Sequence, residues 1–102
     1  MNYIESAETG IRENVIEEIR TLAQKHGISR VILFGSRSRG DYGRKSDIDL
    51  AVSGVDVMRF ALDVDEETST LLMFDVVDLD GCVSDALLSE IRRDGLVIYE
   101  KI

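Results

Sequence analysis

Residues 35–50 read GSRSRGDYGRKSDIDL. The stretch opens on glycine, serine and arginine, residue types that hold phosphate, and closes on two aspartates one residue apart, a type that holds cations. Five of the twelve Lys and Arg residues of the chain lie between Arg30 and Lys45, directly ahead of those carboxylates. The preceding run RVILF, 30–34, is short, continuous and apolar, as expected of a buried strand, and Gly35 stops it. In DIDLAV, 47–52, Ile48, Leu50 and Val52 point one way and Asp47, Asp49 and Ala51 the other, the period of a strand with one face in a core.

Outward from this centre the chain alternates helices and strands. Ile11, Val15, Ile16, Ile19, Leu22 and Ala23 repeat at helical spacing, which predicts a helix over Thr9 to His26 ended by Gly27. His26, the only histidine, reads as a cation at the negative end of that helix rather than as a catalyst. A second helix is expected between Asp56 and Glu67, and a third strand over LLMFDVVDL, 71–79. Ser84 caps a last helix containing Leu87, Leu88 and Ile91 and closed by Gly95, and LVIYE, 96–100, is a closing strand. The expected class is α/β (α+β), a small mixed sheet with helices packed on it, as one domain over 1–102.

Charge is unevenly distributed. The chain carries a formal −8, yet residues 30–45 hold five basic side chains against one acidic, and residues 46–102 hold fourteen acidic against four basic. An acidic chain is a poor general binder of nucleic acid, because phosphate contacts need cationic surface. The basic island suits a small anion, and the acidic remainder is a solvated surface or faces a basic partner. No apolar run approaches the ~20 residues of a membrane span. Cys82 is alone, so neither a disulfide framework nor a Cys-rich zinc site is expected, and a cytoplasmic setting fits.

Asp47 and Asp49, two apart on a strand, project from one face with Cα atoms ~7 Å apart. Burying both without a partner would be costly, so a positive charge should lie between them. Hard oxygen donors suit Mg²⁺ or Mn²⁺. Asp75, alone amid Leu, Met, Phe and Val, supplies a third carboxylate if its strand pairs beside 47–52. The plainer alternatives are a solvated Asp-x-Asp turn, and for Asp75 an edge-strand charge that blocks aggregation. Asp78 falls on the opposite face and reads as surface, and Asp41 and Tyr42 as turn residues. A phosphate-binding P-loop fails because Asp41 and Tyr42 stand where Lys and Ser or Thr are required. An EF-hand fails because Val52 occupies its glycine position.

Gly35-Ser36, ten residues, then Asp47-x-Asp49 resembles the polymerase-beta-like nucleotidyltransferase superfamily, and most closely its minimal nucleotidyltransferase branch. The resemblance implies that Gly35 and Ser36 cradle the triphosphate of an NTP, ATP above all, with Arg37 or Arg39 adding charged contacts. It implies that Asp47, Asp49 and Asp75 hold two Mg²⁺ ions, with Asp75 also aiding deprotonation of the acceptor. The reaction implied is transfer of a nucleoside monophosphate to a hydroxyl. Many members of this branch are antitoxins paired with a helical HEPN toxin, and there the acceptor is a tyrosine of the toxin. The alternative is a protein that neutralises or scaffolds a helical partner by binding alone. Ser38, where alanine is frequent, is a minor departure.

Overall fold

Strand β2, Ile28–Phe34, is the centre of a five-stranded sheet. The computed structural model describes residues 1–101. Helix α1, Glu13–Lys25, leads into β2, and a loop carrying the single-turn helix α2, Ser36–Arg39, leads out of it to β3, Ile48–Gly54. Helix α3, Val57–Glu67, connects β3 to β4, Phe74–Asp78, and helix α4, Asp85–Asp94, connects β4 to β5, Leu96–Glu100. A two-residue strand β1, Asn2–Tyr3, completes the sheet, whose order is β1-β5-β2-β3-β4. β2 runs antiparallel to both β3 and β5. β3 and β4 are parallel, as a strand–helix–strand crossover requires.

Alternation along β2 and β3 splits the core in two. Val31, Leu33, Ile48, Leu50 and Val52 face α1 and α3, where Ile19 and Phe60 are fully buried. Ile32, Phe34 and Ala51 face α4 through Ile91. The face covered by α1 and α3 is the larger. The face covered by α4 alone is incomplete at one end, and there Asp49 and Asp75 stand. α1 and α3 are further tied where His26 Nε2 meets Asp63 Oδ2 at 2.6 Å, so His26 sits at the helix end as expected but with a carboxylate partner.

The expected elements occur in the expected order, but β2 starts earlier, at Ile28, β3 runs on to Gly54, β1 is unexpected, and α1 and the strand around Asp75 are shorter. α1 begins at Glu13 rather than Thr9 because Gly10 has φ +72 and a Cβ there would lie 2.6 Å from the Tyr42 ring. The strand expected over 71–79 starts only at Phe74, leaving Leu71 and Met73 exposed in the loop before it. β3 begins at Ile48, so Asp47 precedes the strand instead of lying in it. Among the described residues no helix is long and apolar enough to cross a membrane.

Candidate active site

The site lies at the edge of the sheet where β2 ends and β3 and β4 begin. Phe34 is opposite Asp49 in the β2–β3 register, and Asp49 is opposite Asp75 in the β3–β4 register. Directly opposed residues on neighbouring strands share a face, ~5 Å apart. Both carboxylates therefore point to the α4 side, where the core gives way to solvent. Asp49 is half-buried and Asp75 and Asp47 are exposed.

Gly35 turns the chain from β2 into α2. Its φ of +78 suits glycine. A Cβ at this position would collide with Asp49 Oδ2, so the Gly-Ser turn is pressed against the carboxylate. The turn is held by Ser38 Oγ donating to Gly35 O at 2.9 Å and by Arg39 N donating to the same carbonyl at 3.2 Å. No side chain caps the amino end of α2, so its first backbone N–H groups are available to an anion. Ser36 is half-buried beside them.

The two arginines of the loop part company. Arg37 is 2% exposed, and its guanidinium donates to Thr9 O at 2.9 Å, Ser46 O at 3.0 Å and Arg44 O at 3.4 Å while lying over the Tyr42 ring. It ties the loop to the segment before α1, and its donors are committed to backbone carbonyls. Arg39 stays accessible. Its Nε meets Asp41 Oδ2 at 3.2 Å, and its Nη1 lies 3.7 Å from Asp94 and 3.9 Å from Glu90. Those contacts, Asp41 first, raise the guanidinium's pKa further.

Burial pushes the Asp49 carboxyl up to about 6, reinforced by the neighbouring charges of Asp75, Asp47 and Glu90 and opposed by Arg39. An all-oxygen donor set that repels itself this way fits a hard divalent cation in its chemistry. Among the described residues, no three His, Cys, Asp or Glu side chains converge closely enough to hold an ion as they stand. The fit is thus one of donor type and strand register, and the side chains would have to rotate to close a ligand shell. Glu90 and Asp94 were not singled out from sequence. The available signal was an acid in the last turn of α4, where the helix dipole disfavours negative charge unless a cation answers it.

A model of the family "Polymerase beta, Nucleotidyltransferase" matches residues 17–102. Among solved structures, a toxin-antitoxin crystallised with AMP-PNP is 26% identical, with a TM-score of 0.69 over 84% of this chain and 73% of that one. A variant of the toxin-antitoxin MntA-HpeT is 25% identical, with a TM-score of 0.65 over 83% of this chain and 72% of that one. A structure described as a minimal nucleotidyltransferase is 28% identical, with a TM-score of 0.63 over 79% of this chain and 86% of that one. Comparison with curated proteins finds no match. The Gly-Ser turn against Asp49, with Asp75 in register beside it, thus stands in a chain whose family model runs from α1 to the last residue: the protein belongs to the polymerase beta nucleotidyltransferase family.

Proposed function

We propose that this nucleotidyltransferase domain transfers AMP from ATP to a hydroxyl on a partner protein, and that it serves in the cytoplasm as the antitoxin to a helical, HEPN-type toxin. One observation carries the reading: Gly35 is packed on Asp49 so closely that only glycine fits, which sets the Gly-Ser turn against a carboxylate pair. The similarity to a toxin-antitoxin structure crystallised with AMP-PNP supports both the nucleotide and the kind of partner.

In this reading the backbone N–H groups of α2 and the Ser36 hydroxyl bind the triphosphate. Arg39, steadied by Asp41, Glu90 and Asp94, sets positive charge beside it. Asp47, Asp49 and Asp75 would hold two Mg²⁺ ions, or Mn²⁺, which when bound supply positive charge to the phosphates and acidify the acceptor hydroxyl. Asp75, exposed on the edge strand, accepts the hydroxyl proton. The acceptor oxygen bonds to the α-phosphorus as the bond to the bridging oxygen breaks, and pyrophosphate leaves.

Intact-mass spectrometry of a co-purified partner, incubated with ATP and Mg²⁺, tests this. An increment of one or more AMP units supports transfer. Tight binding with no increment from any of the four NTPs favours the second reading, an antitoxin that acts by binding alone. The observation on that side is that the three aspartates do not converge as they stand.

A further inference from the structure

We propose that the cationic groove between the start of α1 and the 69–73 loop docks an acidic segment of the partner, the segment that presents the acceptor hydroxyl; this rests on the transferase reading above. The groove has a volume of about 780 Å³, and its lining includes Arg12, Arg44 and Lys45 together with Leu71, Leu72 and Met73. It abuts the site. Lys45 is two residues ahead of Asp47 and Met73 two ahead of Asp75, and Ile48 N donates to Met73 O at 2.9 Å, fastening those two chain segments together.

What sets the groove apart is that three free cations lie together in one concavity. Arg12, Arg44 and Lys45 are exposed, and among the described residues none of them makes an ion pair. Arg20, Arg30, Arg39 and Arg93 face carboxylates, and Lys25, Arg59, Arg92 and Lys101, which among the described residues also make no ion pair, do not line the groove. Glu18, at the rim, is already engaged by the backbone N–H and hydroxyl of Ser69 at 2.8 and 2.6 Å. On a protein of net −8, three unanswered cations in one concavity specify an anionic occupant.

The apolar part of the lining narrows the class. Leu71 is 101% exposed and Met73 65%, so the occupant meets apolar side chains as well as cations. An acidic peptide offers carboxylates and apolar groups in alternation. A polynucleotide would gain only three cationic contacts here, and its backbone would be repelled by the net −10 of residues 46–102. In the reading above the triphosphate binds at Gly35 and Ser36, which do not line the groove.

A Glu/Tyr random copolymer is the acidic, hydroxyl-bearing probe, with a Lys/Tyr copolymer and a single-stranded RNA 12-mer beside it. Binding is read by fluorescence anisotropy on the full chain, and Mg·ATP binding is measured separately by calorimetry. Charge reversal in the groove, Arg12→Glu with Arg44→Glu and Lys45→Glu, should weaken Glu/Tyr binding at least tenfold and leave Mg·ATP affinity within twofold. The milder Arg44→Ala with Lys45→Ala gives a second measurement if the triple variant fails to fold. Arg92→Glu with Lys101→Glu, exposed cations elsewhere, controls for net charge and should change binding little. Equal losses in the control and groove variants, preference for Lys/Tyr polymer or RNA, or a loss of ATP affinity in place of peptide affinity would each overturn the docking site. A wild type that binds the Glu/Tyr polymer through the groove yet never binds Mg·ATP would sink the transferase reading while leaving the groove intact.

Discussion

Replacing Asp49 by Asn should make the metal-free protein more stable, not less. The Asp49 carboxyl is raised from 3.8 to about 6 by burial and by the charges of Asp75, Asp47 and Glu90. The folded state therefore binds this proton more tightly than the unfolded chain, and takes it up on folding between about pH 4 and 6. Stability from this group is present below pH 4 and is lost as pH rises through 6. The full displacement corresponds to about 3 kcal/mol. Screening at a half-exposed carboxylate reduces it to roughly 1–1.5 kcal/mol. Asn keeps the shape and removes the charge, so at pH 7.5 in EDTA the variant should melt about 4–10 °C above wild type. At pH 4 the gap should shrink to a small fraction of that, because the carboxyl is then neutral in the folded state and only partly ionised in the unfolded chain. Adding Mg²⁺ or Mn²⁺ should reverse the ranking: an ion at a hundredfold excess over Kd stabilises by ~2.7 kcal/mol, and the variant should lose most of that gain. Calorimetric melts of both proteins over pH 4–8, with and without metal, give all four corners. A variant no more stable than wild type at pH 7.5 in EDTA, or a difference that does not change with pH, would refute the electrostatic account.

Arg37→Gln should destabilise by at least ~3 kcal/mol in urea melts, since it removes charged hydrogen bonds from two carbonyls of the loop and from Thr9 O before α1; near-normal stability with lost ATP binding would return Arg37 to the nucleotide. Ser36→Ala with Arg39→Ala should weaken ATP binding, each lost charged hydrogen bond being worth ~1.5–3 kcal/mol by calorimetry, while metal binding without nucleotide persists. Asp75→Asn should abolish the mass increment on the partner and spare most of the binding, and an undiminished increment would exclude Asp75 from the chemistry. Gly35→Ala should lose ATP and metal responses together, because its Cβ displaces the Asp49 carboxylate as well as straining the turn.

What was legible in the sequence was local in origin. The Gly-Ser turn, the Asp-x-Asp alternation and the strand around Asp75 each announce themselves within a few residues. The condition that Asp75 pair beside 47–52 is met by the parallel β3–β4 register, with Asp49 opposite Asp75. What was illegible depended on contacts between distant parts of the chain. Nothing near Arg37 marks it as buried, because its partners include a carbonyl 28 residues away, at Thr9. The same contact is why helix periodicity overran the start of α1: Gly10 bends the chain so that Thr9 can face the guanidinium. Glu90 and Asp94 come to Arg39 only because α4 crosses the sheet face above it. The five cations between Arg30 and Lys45 therefore do not form one phosphate site, as their crowding in sequence suggests. Arg30 answers Glu100 across the sheet, Arg37 fastens the loop, Arg39 stands by the Gly-Ser turn, and Arg44 and Lys45 turn into the groove. A charge cluster in sequence becomes four jobs in space because a four-residue helix and two glycines fan the side chains apart, which is why a net count of basic residues could suggest a ligand without locating it.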